Sequence, residues 1–297
     1  PACISSSFFF PQGYIPTQLN VLDSFYGSEG ELASALTAVH NANMKAIADI
    51  VINHRGGATG WCDFVNPDWD TTAITNNDEG VNPTRQDATC EGPLGQTDSG
   101  ETYGAARDID HTNVDVQQSI SSWMSGRMQG IGFDGWRYDY VKGYGGWANE
   151  IYNNATNPYF SVGEYWKTLC HDDDGQGCFD VGGKLPDAHR QDVMNWVNAT
   201  GHTSAAFDFT TKGILNRVLG WYKEGESKQG DYQFWRLKDA AGKPAGLIGL
   251  DPKYAVTFLD NHDTGPSETC FSGQYHWAVD CDKIVMGYSY IMTHPGI

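Results

Sequence analysis

The sequence has little positive charge. Only 19 of its 297 residues are Lys or Arg against 37 Asp and Glu, which gives a formal net charge of −18. This excess would repel the phosphates of nucleic acids and the anionic face of a membrane. No apolar run reaches the about 18 residues of a membrane span. We therefore expect no nucleic-acid or membrane partner, although acidic surplus can also serve solubility alone.

Spacings typical of metal and redox sites are also absent. The seven cysteines form no Cys-x-x-Cys, which argues against a zinc ribbon or a thioredoxin-type site. Cysteines that can pair instead favour disulfides and an exported protein. Cys170 with Cys178 and Cys270 with Cys281 are close in sequence, and Cys62 and Cys90 share one Gly-rich region, which leaves Cys3 over.

The two ends of the chain lack the usual signals. Pro1-Ala2-Cys3 provides neither an initiating Met nor a signal-peptide pattern, and residues 293–297 resemble the entry into a strand. We expect the sequence to be part of a longer one.

Helical and strand patterns alternate along the chain. Ser28 to Glu31 has capping-box spacing and predicts a helix to Asn43. Residues 46–53 are typical of a buried parallel strand, and a helix is predicted around 116–128. A strand is predicted next at 133–140. Three strand–helix pairs follow, with strands at 159–164, 204–209 and 255–261 and their helices at 187–198, 211–222 and 282–292. Five such units predict a parallel sheet or a (β/α)8 barrel.

One segment departs from this alternation. Residues 54–110 are rich in Gly, Asn, Asp, Thr and Cys and are too long for an ordinary loop. We predict an irregular insertion there (domain B), which divides the predicted barrel (domain A) into residues 1–53, a partial first part, and residues 111–297.

Phe133 to Tyr140 reads FDGWRYDY. Side chains alternate between the faces of a strand, so Arg137 and Asp139 share one face, and Trp136, Tyr138 and Tyr140 share the other. A structural ion pair would explain Arg137 and Asp139 if they stood alone.

Polar residues follow four predicted strands, where α/β proteins bind ligands. They are Asn53-His54-Arg55, Arg137-Tyr138-Asp139, Gly163-Glu164-Tyr165-Trp166 and Asp260-Asn261-His262-Asp263. Taken singly, His54 would be a structural histidine, Glu164 a helix-capping acid and Asp263 a turn former. Together they predict one site.

Converging carboxylates raise one another's pKa, so one of them holds a proton. Arg137 favours the ionised form of Asp139, which suits a nucleophile. Glu164 lies beside aromatic residues and far in sequence from any arginine, which makes it the better proton donor. This pairing is that of retaining glycosidases, and the 13% aromatic residues suit stacking on sugars, although most must be core.

Four of these segments, AIADIVINHR, GFDGWRYDY, VGEYW and FLDNHD, resemble the ordered strand-end motifs of the alpha-amylase family of glycoside hydrolases. AFDFTTKGIL, DAHRQ and THPGI further resemble the plant and algal type. The resemblance covers nearly the whole chain. It implies a (β/α)8 barrel that is incomplete here, without the first strands and the eighth, and endo-hydrolysis of α-1,4-glucan with retention of the anomer.

Roles follow from the resemblance for individual residues. It implies Asp139 as nucleophile, Glu164 as acid/base and Asp263 as the third carboxylate. The substrate-binding candidates that it implies are Tyr14, His54, Arg137, Lys142, Trp166 and His262.

The resemblance also implies a calcium ion, bound through the segment TDSGETYGAARDIDH at residues 97–111. The implied ligands are Asn53, Asp98, Asp108 and the main-chain carbonyls of Glu101 and Gly143. Hard oxygen donors of this kind suit Ca²⁺. The alternative is an acidic loop that binds no metal.

Several expectations concern the whole protein. We expect a secreted monomer that acts on starch, with an intracellular or plastid location as the alternative. The open arc of strands exposes edges that a closed barrel hides, so the 297-residue chain alone is expected to be marginally stable or inactive.

Three other functions are open. An α-glucosidase or a transglycosylating or branching enzyme would share the superfamily and its site. A non-catalytic glucan-binding homologue would not need three acids that repel one another. A metal-dependent hydrolase built on His54, His262 and Asp263 is disfavoured, because His-x-His and His-x-x-x-His are absent.

Overall fold

The computed structural model describes residues 13–58, 60–77, 90–101, 103–167, 169, 185–222, 230, 232–264, 278–279 and 281–297. The chain forms two compact units. Unit 1 comprises residues 1–164 and 199–204, and unit 2 comprises residues 165–198 and 205–297. The predicted division at residues 53 and 110 remains a prediction.

Unit 1 is built on three parallel strands. Its helices and strands are α1 (Glu29–Asn41), β1 (Ile47–Ile50), β2 (His54–Arg55), β3 (Arg107–Asp108), α2 (Val114–Ser122), α3 (Gln129–Ile131), β4 (Gly135–Tyr138), α4 (Gly146–Thr156) and β5 (Ser161–Gly163). Strand β4 lies between β1 and β5, and Arg137 pairs in register with Asp49 on one side and Val162 on the other. Parallel strands joined by helices are what the sequence predicted.

Strand β4 shows the predicted alternation of faces. Trp136 and Tyr138 are fully buried, and each donates a hydrogen bond to α4: Trp136 Nε1 to Thr156 Oγ1 (2.9 Å) and the Tyr138 hydroxyl to Asn153 Oδ1 (3.0 Å). Asn153 Nδ2 also donates to Ser161 Oγ on β5 (3.1 Å). Asn153 thus fastens β4 and β5 to the same helix, and Arg137 is left on the opposite face of β4.

The described part of the predicted insertion has little regular structure. Strands β2 and β3 pair antiparallel over two residues each, and a disulfide joins Cys62 to Cys90. The fully buried Arg55 donates to the carbonyls of Thr17 (2.9 Å) and Pro67 (2.9 Å), and its guanidinium lies over two aromatic rings. Buried polar groups and one covalent link therefore hold this segment. Cys3, Cys170, Cys178 and Cys270 lie outside the described residues.

Among the residues that the structure describes, unit 2 has two strand pairs and three α-helices. They are α5 (Pro186–Ala199), which ends in unit 1, β6 (Ala205–Phe207), α6 (Phe209–Leu219), β7 (Trp221–Tyr222), β8 (Ala255–Val256), β9 (Ala278–Val279) and α7 (Ile284–Met292). Strands β6 and β8 are parallel, and β7 and β9 are antiparallel. Apolar residues of α6 and α7 form its core with Leu259 and Val279.

Some element boundaries differ from the sequence predictions. Helix α4 was missed, the predicted helix at 211–222 ends at Leu219, and the predicted strand at 255–261 is regular only over Ala255–Val256. Gly220, with φ 89°, ends α6 because this backbone conformation favours glycine. The predicted helix at 116–128 holds α2 and a π-helical turn from Trp123 to Met128.

Candidate active site

Arg137 is the centre of an ionic cluster in unit 1. Its Nη1 lies 2.8 Å from Asp49 Oδ1 and 2.5 Å from Asp139 Oδ1, and its Nη2 lies 2.7 Å from Glu164 Oε1. One guanidinium thus contacts three carboxyl groups from three adjacent strands. Asp49 lies within β1, Asp139 directly follows β4, and Glu164 directly follows β5. Arginine suits this position because its donors form a rigid planar fork.

Glu164 differs from its predicted environment. The sequence placed it far from any arginine, whereas the structure pairs it with Arg137. Its side chain is 6% exposed, against 15% for Asp139 and 20% for Asp49. Burial disfavours the charged form of Arg137, but the carboxylates of Glu164, Asp139 and Asp49 outweigh it and raise the pKa of Arg137.

The backbone that follows β4 positions the carboxyl groups of Asp139 and Glu164. The Asp139 amide donates to the carbonyl of Ile50 on β1 (2.9 Å) and so extends the parallel pairing by one residue. Tyr140 then adopts a left-handed conformation, φ 47° and ψ 45°, and its amide donates to Glu164 Oε2 (3.3 Å). Left-handed backbone at an aromatic residue is strained and is common at functional sites.

Asp49 belongs to the cluster but was not predicted. Besides Arg137, its carboxylate accepts a 2.8 Å hydrogen bond from the Tyr14 hydroxyl. Burial and the Asp49 charge raise the pKa of Tyr14, so this hydroxyl keeps its proton. The signal in the sequence was a single aspartate within the apolar run of β1, where an unpaired charge would be costly.

His54 lies beside Tyr14 and is fully buried. Its Nε2 donates to the Tyr14 carbonyl (2.7 Å), and its Nδ1 lies 3.2 Å from Asn53 Nδ2, a donor, so the Nε2-protonated tautomer fits the network. Burial lowers the pKa of His54 to about 4, which makes it neutral near pH 7. The ring of Tyr103, another residue that was not predicted, stacks on His54 at 3.9 Å.

Some predicted calcium ligands lie close together. Asn53 Nδ2 donates to Asp108 Oδ1 (3.0 Å), while Asn53 Oδ1 is buried and accepts no hydrogen bond within the described part of the chain. A Cβ added to Gly143 would lie 2.0 Å from that oxygen, and a Cβ added to Gly100 would lie 2.5 Å from the Gly143 carbonyl oxygen. The glycines therefore let carbonyl and amide oxygens approach one another.

The other predicted ligands lie on the adjoining loop. The Glu101 amide donates to the Lys142 carbonyl (2.8 Å), and Asp98 Oδ1 accepts from the Gly100 amide (3.2 Å). Within the described ranges, no three His, Cys, Asp or Glu side chains gather into a metal cluster. The set suits a hard cation bound in part through amide and carbonyl oxygens.

Lys142 follows the cluster in sequence. Its Nζ lies 3.3 Å from Glu101 Oε2 and 5.3 Å from the centre of the Tyr140 ring. The structure thus places Lys142 between the loop of predicted calcium ligands and the residue after Asp139.

Three predicted site residues belong to unit 2. Trp166 stacks on Phe209 with ring centres 5.1 Å apart. His262 Nε2 lies 3.4 Å from Asp263 Oδ2, and these side chains are 51% and 28% exposed. Their part in the same site as Asp139 and Glu164 remains a prediction.

The carboxyl cluster at the ends of parallel strands is the arrangement expected of a glycoside hydrolase, and sequence relationships agree. The model of the alpha-amylase catalytic domain matches residues 5–297. The chain belongs to the alpha-amylase family. This confirms the predicted family and the predicted fold class, because the catalytic domain of the family is a (β/α)8 barrel.

Two relatives are from Arabidopsis thaliana. The chain is 40% identical to "Probable alpha-amylase 2", over 97% of this chain and 62% of that relative. It is 38% identical to "Alpha-amylase 3, chloroplastic", over 96% of this chain and 29% of that relative. The chain therefore spans less than two thirds of the length of these relatives. The plant resemblance predicted from the sequence is confirmed.

Two solved structures share the fold. An alpha-amylase from Malbranchea cinnamomea is matched with a TM-score of 0.55 at 18% identity, over 88% of this chain and 50% of that one. Alpha-amylase I from Eisenia fetida is matched with a TM-score of 0.56 at 15% identity, over 96% and 55%. At such identities, these matches support the fold alone.

Proposed function

We propose that the protein hydrolyses internal α-1,4-glucosidic bonds of starch or related glucans with retention of the anomeric configuration. The observation that carries the proposal is the bridging of Asp139 and Glu164 by the two Nη atoms of Arg137. Retaining glycosidases need two carboxyl groups about 5 to 5.5 Å apart, and one guanidinium can hold two carboxyl groups that close together.

In the first step, Asp139 attacks the anomeric carbon and the bond to the leaving oxygen breaks as Glu164 protonates that oxygen. In the second step, Glu164 takes a proton from water, which attacks the same carbon and releases Asp139. Three carboxylates around one guanidinium leave an excess of negative charge that one proton relieves. Glu164 is the least exposed of the three and so loses least by being neutral.

The remaining candidates bind or orient the sugar. Arg137 keeps Asp139 ionised, and Tyr14 and His54 border the cluster. Both ring nitrogens of His54 have protein partners, so a sugar hydroxyl bound there would exchange with one of them. We assign Lys142, Trp166 and His262 to substrate binding and Asp263 to the orientation of sugar hydroxyls, on the family resemblance.

We also propose that a calcium ion stabilises the junction between the 97–111 loop and β1. The residues that would hold it are Asn53, Asp98, Asp108, Glu101 and Gly143, and the buried Asn53 Oδ1 supports this assignment. Bound there, the cation supplies structural stability. We expect a calcium chelator to lower the thermal unfolding temperature, with recovery on adding Ca²⁺ but not Mg²⁺. Asp98→Ala should shrink the shift, and Asp115→Ala on α2 should not.

We propose secretion as the location and a monomer as the functional state. The Cys62–Cys90 disulfide supports an oxidising compartment. No helix among the described residues is long and apolar enough to span a bilayer.

The decisive experiment compares Asp139→Asn with the parent on soluble starch, using the protein in its full natural length. We expect a loss of several orders of magnitude in kcat with unchanged thermal unfolding, because the covalent nucleophile is removed. Asp115→Asn, an exposed acid on α2, is the matched control. Full activity in Asp139→Asn would contradict the assignment.

Product analysis separates the related functions. Mixed maltooligosaccharides that appear first in the α-anomer support endo-hydrolysis with retention. Release of glucose alone would indicate an α-glucosidase, and new branches or transferred chains would indicate a transferase.

A further inference from the structure

Lys212 is a buried lysine on α6 that the proposed reaction does not use. Its Nζ lies 2.7 Å from Asp260 Oδ1, with 5% and 15% of the two side chains exposed. Burial lowers the pKa of Lys212, and Asp260 opposes that shift. A buried ion pair is weak support for stability, because desolvation offsets much of the attraction. The pair therefore calls for another role.

Asp260 begins the turn that carries His262 and Asp263. Its carboxylate also accepts hydrogen bonds from the Thr264 side chain and the Val279 amide. Within the turn, Asn261 Oδ1 accepts from the amides of Asp263 (3.0 Å) and Thr264 (2.9 Å), and the Asn261 amide donates to Thr264 Oγ1 (3.0 Å). The turn is closed on itself, and the Asp260 carboxylate connects it to α6.

Helix α6 is a fixed support for this connection. At its start, the fully buried Asp208 carboxylate accepts from the amide (2.8 Å) and hydroxyl (2.6 Å) of Thr211 and from the amides of Leu247 (3.1 Å) and Ile248 (3.0 Å). Lys212 follows Thr211 directly. Its side chain thus starts from the helical turn that Asp208 caps.

We propose that Lys212 is a positioning residue, which acts through Asp260 to fix the turn that presents His262 and Asp263 to the glucan. The assignment rests on the proposed function, in which Asp263 orients sugar hydroxyls. It explains why a largely buried ion pair adjoins a turn whose own side chains are more exposed.

The test uses the full-length protein and a double-mutant cycle between the ion pair and Asp263. Lys212→Met alone leaves a buried carboxylate without its cation and is expected to destabilise the fold. Lys212→Met with Asp260→Asn removes both charges and is expected to recover most of that stability. We expect kcat/KM on soluble starch to remain about tenfold below the parent in this double variant.

Asp263→Asn provides the readout that a purely structural role would not change. It should reduce kcat/KM less in the double-variant background than in the parent, because the turn is already misplaced. Lys238→Met, at an exposed lysine of the same unit, is the control and should match the parent. Should the double variant not fold, Asp260→Asn alone takes its place in the cycle.

Two results would overturn the positioning role: parental kcat/KM in the recovered double variant, or an equal cost of Asp263→Asn in both backgrounds. A parent without activity on starch would instead overturn the proposed function, and the positioning role with it.

Discussion

At the scale of single residues, the site depends on how one cation is shared. Arg137 contacts Asp49, Asp139 and Glu164, so its position balances three attractions. Asp49 also binds the Tyr14 hydroxyl and thereby links β1 to the segment before α1. Removing the Asp49 charge would let the guanidinium shift towards Asp139 and Glu164, the proposed nucleophile and proton donor.

We predict that Asp49→Asn lowers kcat about 10- to 100-fold, less than Asp139→Asn, because it disturbs the position of Arg137 and leaves the reacting carboxyl groups in place. Steady-state kinetics on soluble starch would measure this. Tyr14→Phe removes only the hydroxyl that donates a hydrogen bond to Asp49 and keeps the Asp49 charge, so its kcat is the matched comparison. A kcat for Asp49→Asn equal to that of the parent would show that Asp49 has no such role.

Part of the Arg137 cluster was predictable from local sequence. The Arg137–Asp139 contact follows from strand alternation, since residues two apart share a face. The contact between Arg137 and Glu164 was not predictable from their spacing in the sequence, because it depends on how β4 and β5 pair side by side in the sheet. Asp49 was missed for the same reason: only the pairing of β1 with β4 places it opposite Arg137.

At the scale of elements, an explicit start signal made the beginning of α1 predictable. Helix α1 begins where its capping box predicted, with the Ser28 amide donating to Glu31 Oε2 (2.8 Å) and the Glu31 amide to Ser28 Oγ (3.4 Å). Helix α4 was missed because its sequence, GWANEIYNNAT, holds three Asn, one Gly and one Thr, which are poor helix formers. Asn149 and Asn153 are buried, and Asn153 is bonded to β4 and β5, so tertiary contacts override propensity.

We predict that Ser28→Ala lowers the free energy of unfolding by about 1 kcal/mol, because it removes the acceptor for an amide at the start of α1. Denaturant titration would measure it. Ser34→Ala, within the same helix, is the control: its hydroxyl bonds back to the Gly30 carbonyl (2.8 Å), and alanine is the better helix former there. Equal losses from the two changes would contradict the capping explanation.

At the scale of the whole molecule, buried neutral histidines couple folding to pH. His54 and His111 are buried, and burial lowers the pKa of each to about 4. His189 shifts in the same direction for the same reason. In the unfolded chain their pKa lies near 6.5, so between pH 6.5 and pH 4 the unfolded state binds more protons.

We therefore predict that stability is greatest above pH 6.5 and falls as the pH drops towards 4, by about 3 kcal/mol each for His54 and His111. Thermal unfolding from pH 7 to pH 4 would measure the slope. His111→Asn should be less stable at pH 7 yet lose less stability on acidification than the parent. An unchanged slope in His111→Asn would contradict this account.

One amide on the back of the sheet has a consequence for stereochemistry. Asn153 is bonded to Tyr138 on β4 and to Ser161 on β5, the strands that lead to Asp139 and Glu164. If these strands moved apart, a water molecule would fit between the two acids, and carboxyl groups about 6.5 to 9.5 Å apart favour inversion. We therefore infer that Asn153, which bonds to β4 and β5 from helix α4, helps to set the spacing on which the proposed retention of the anomer depends.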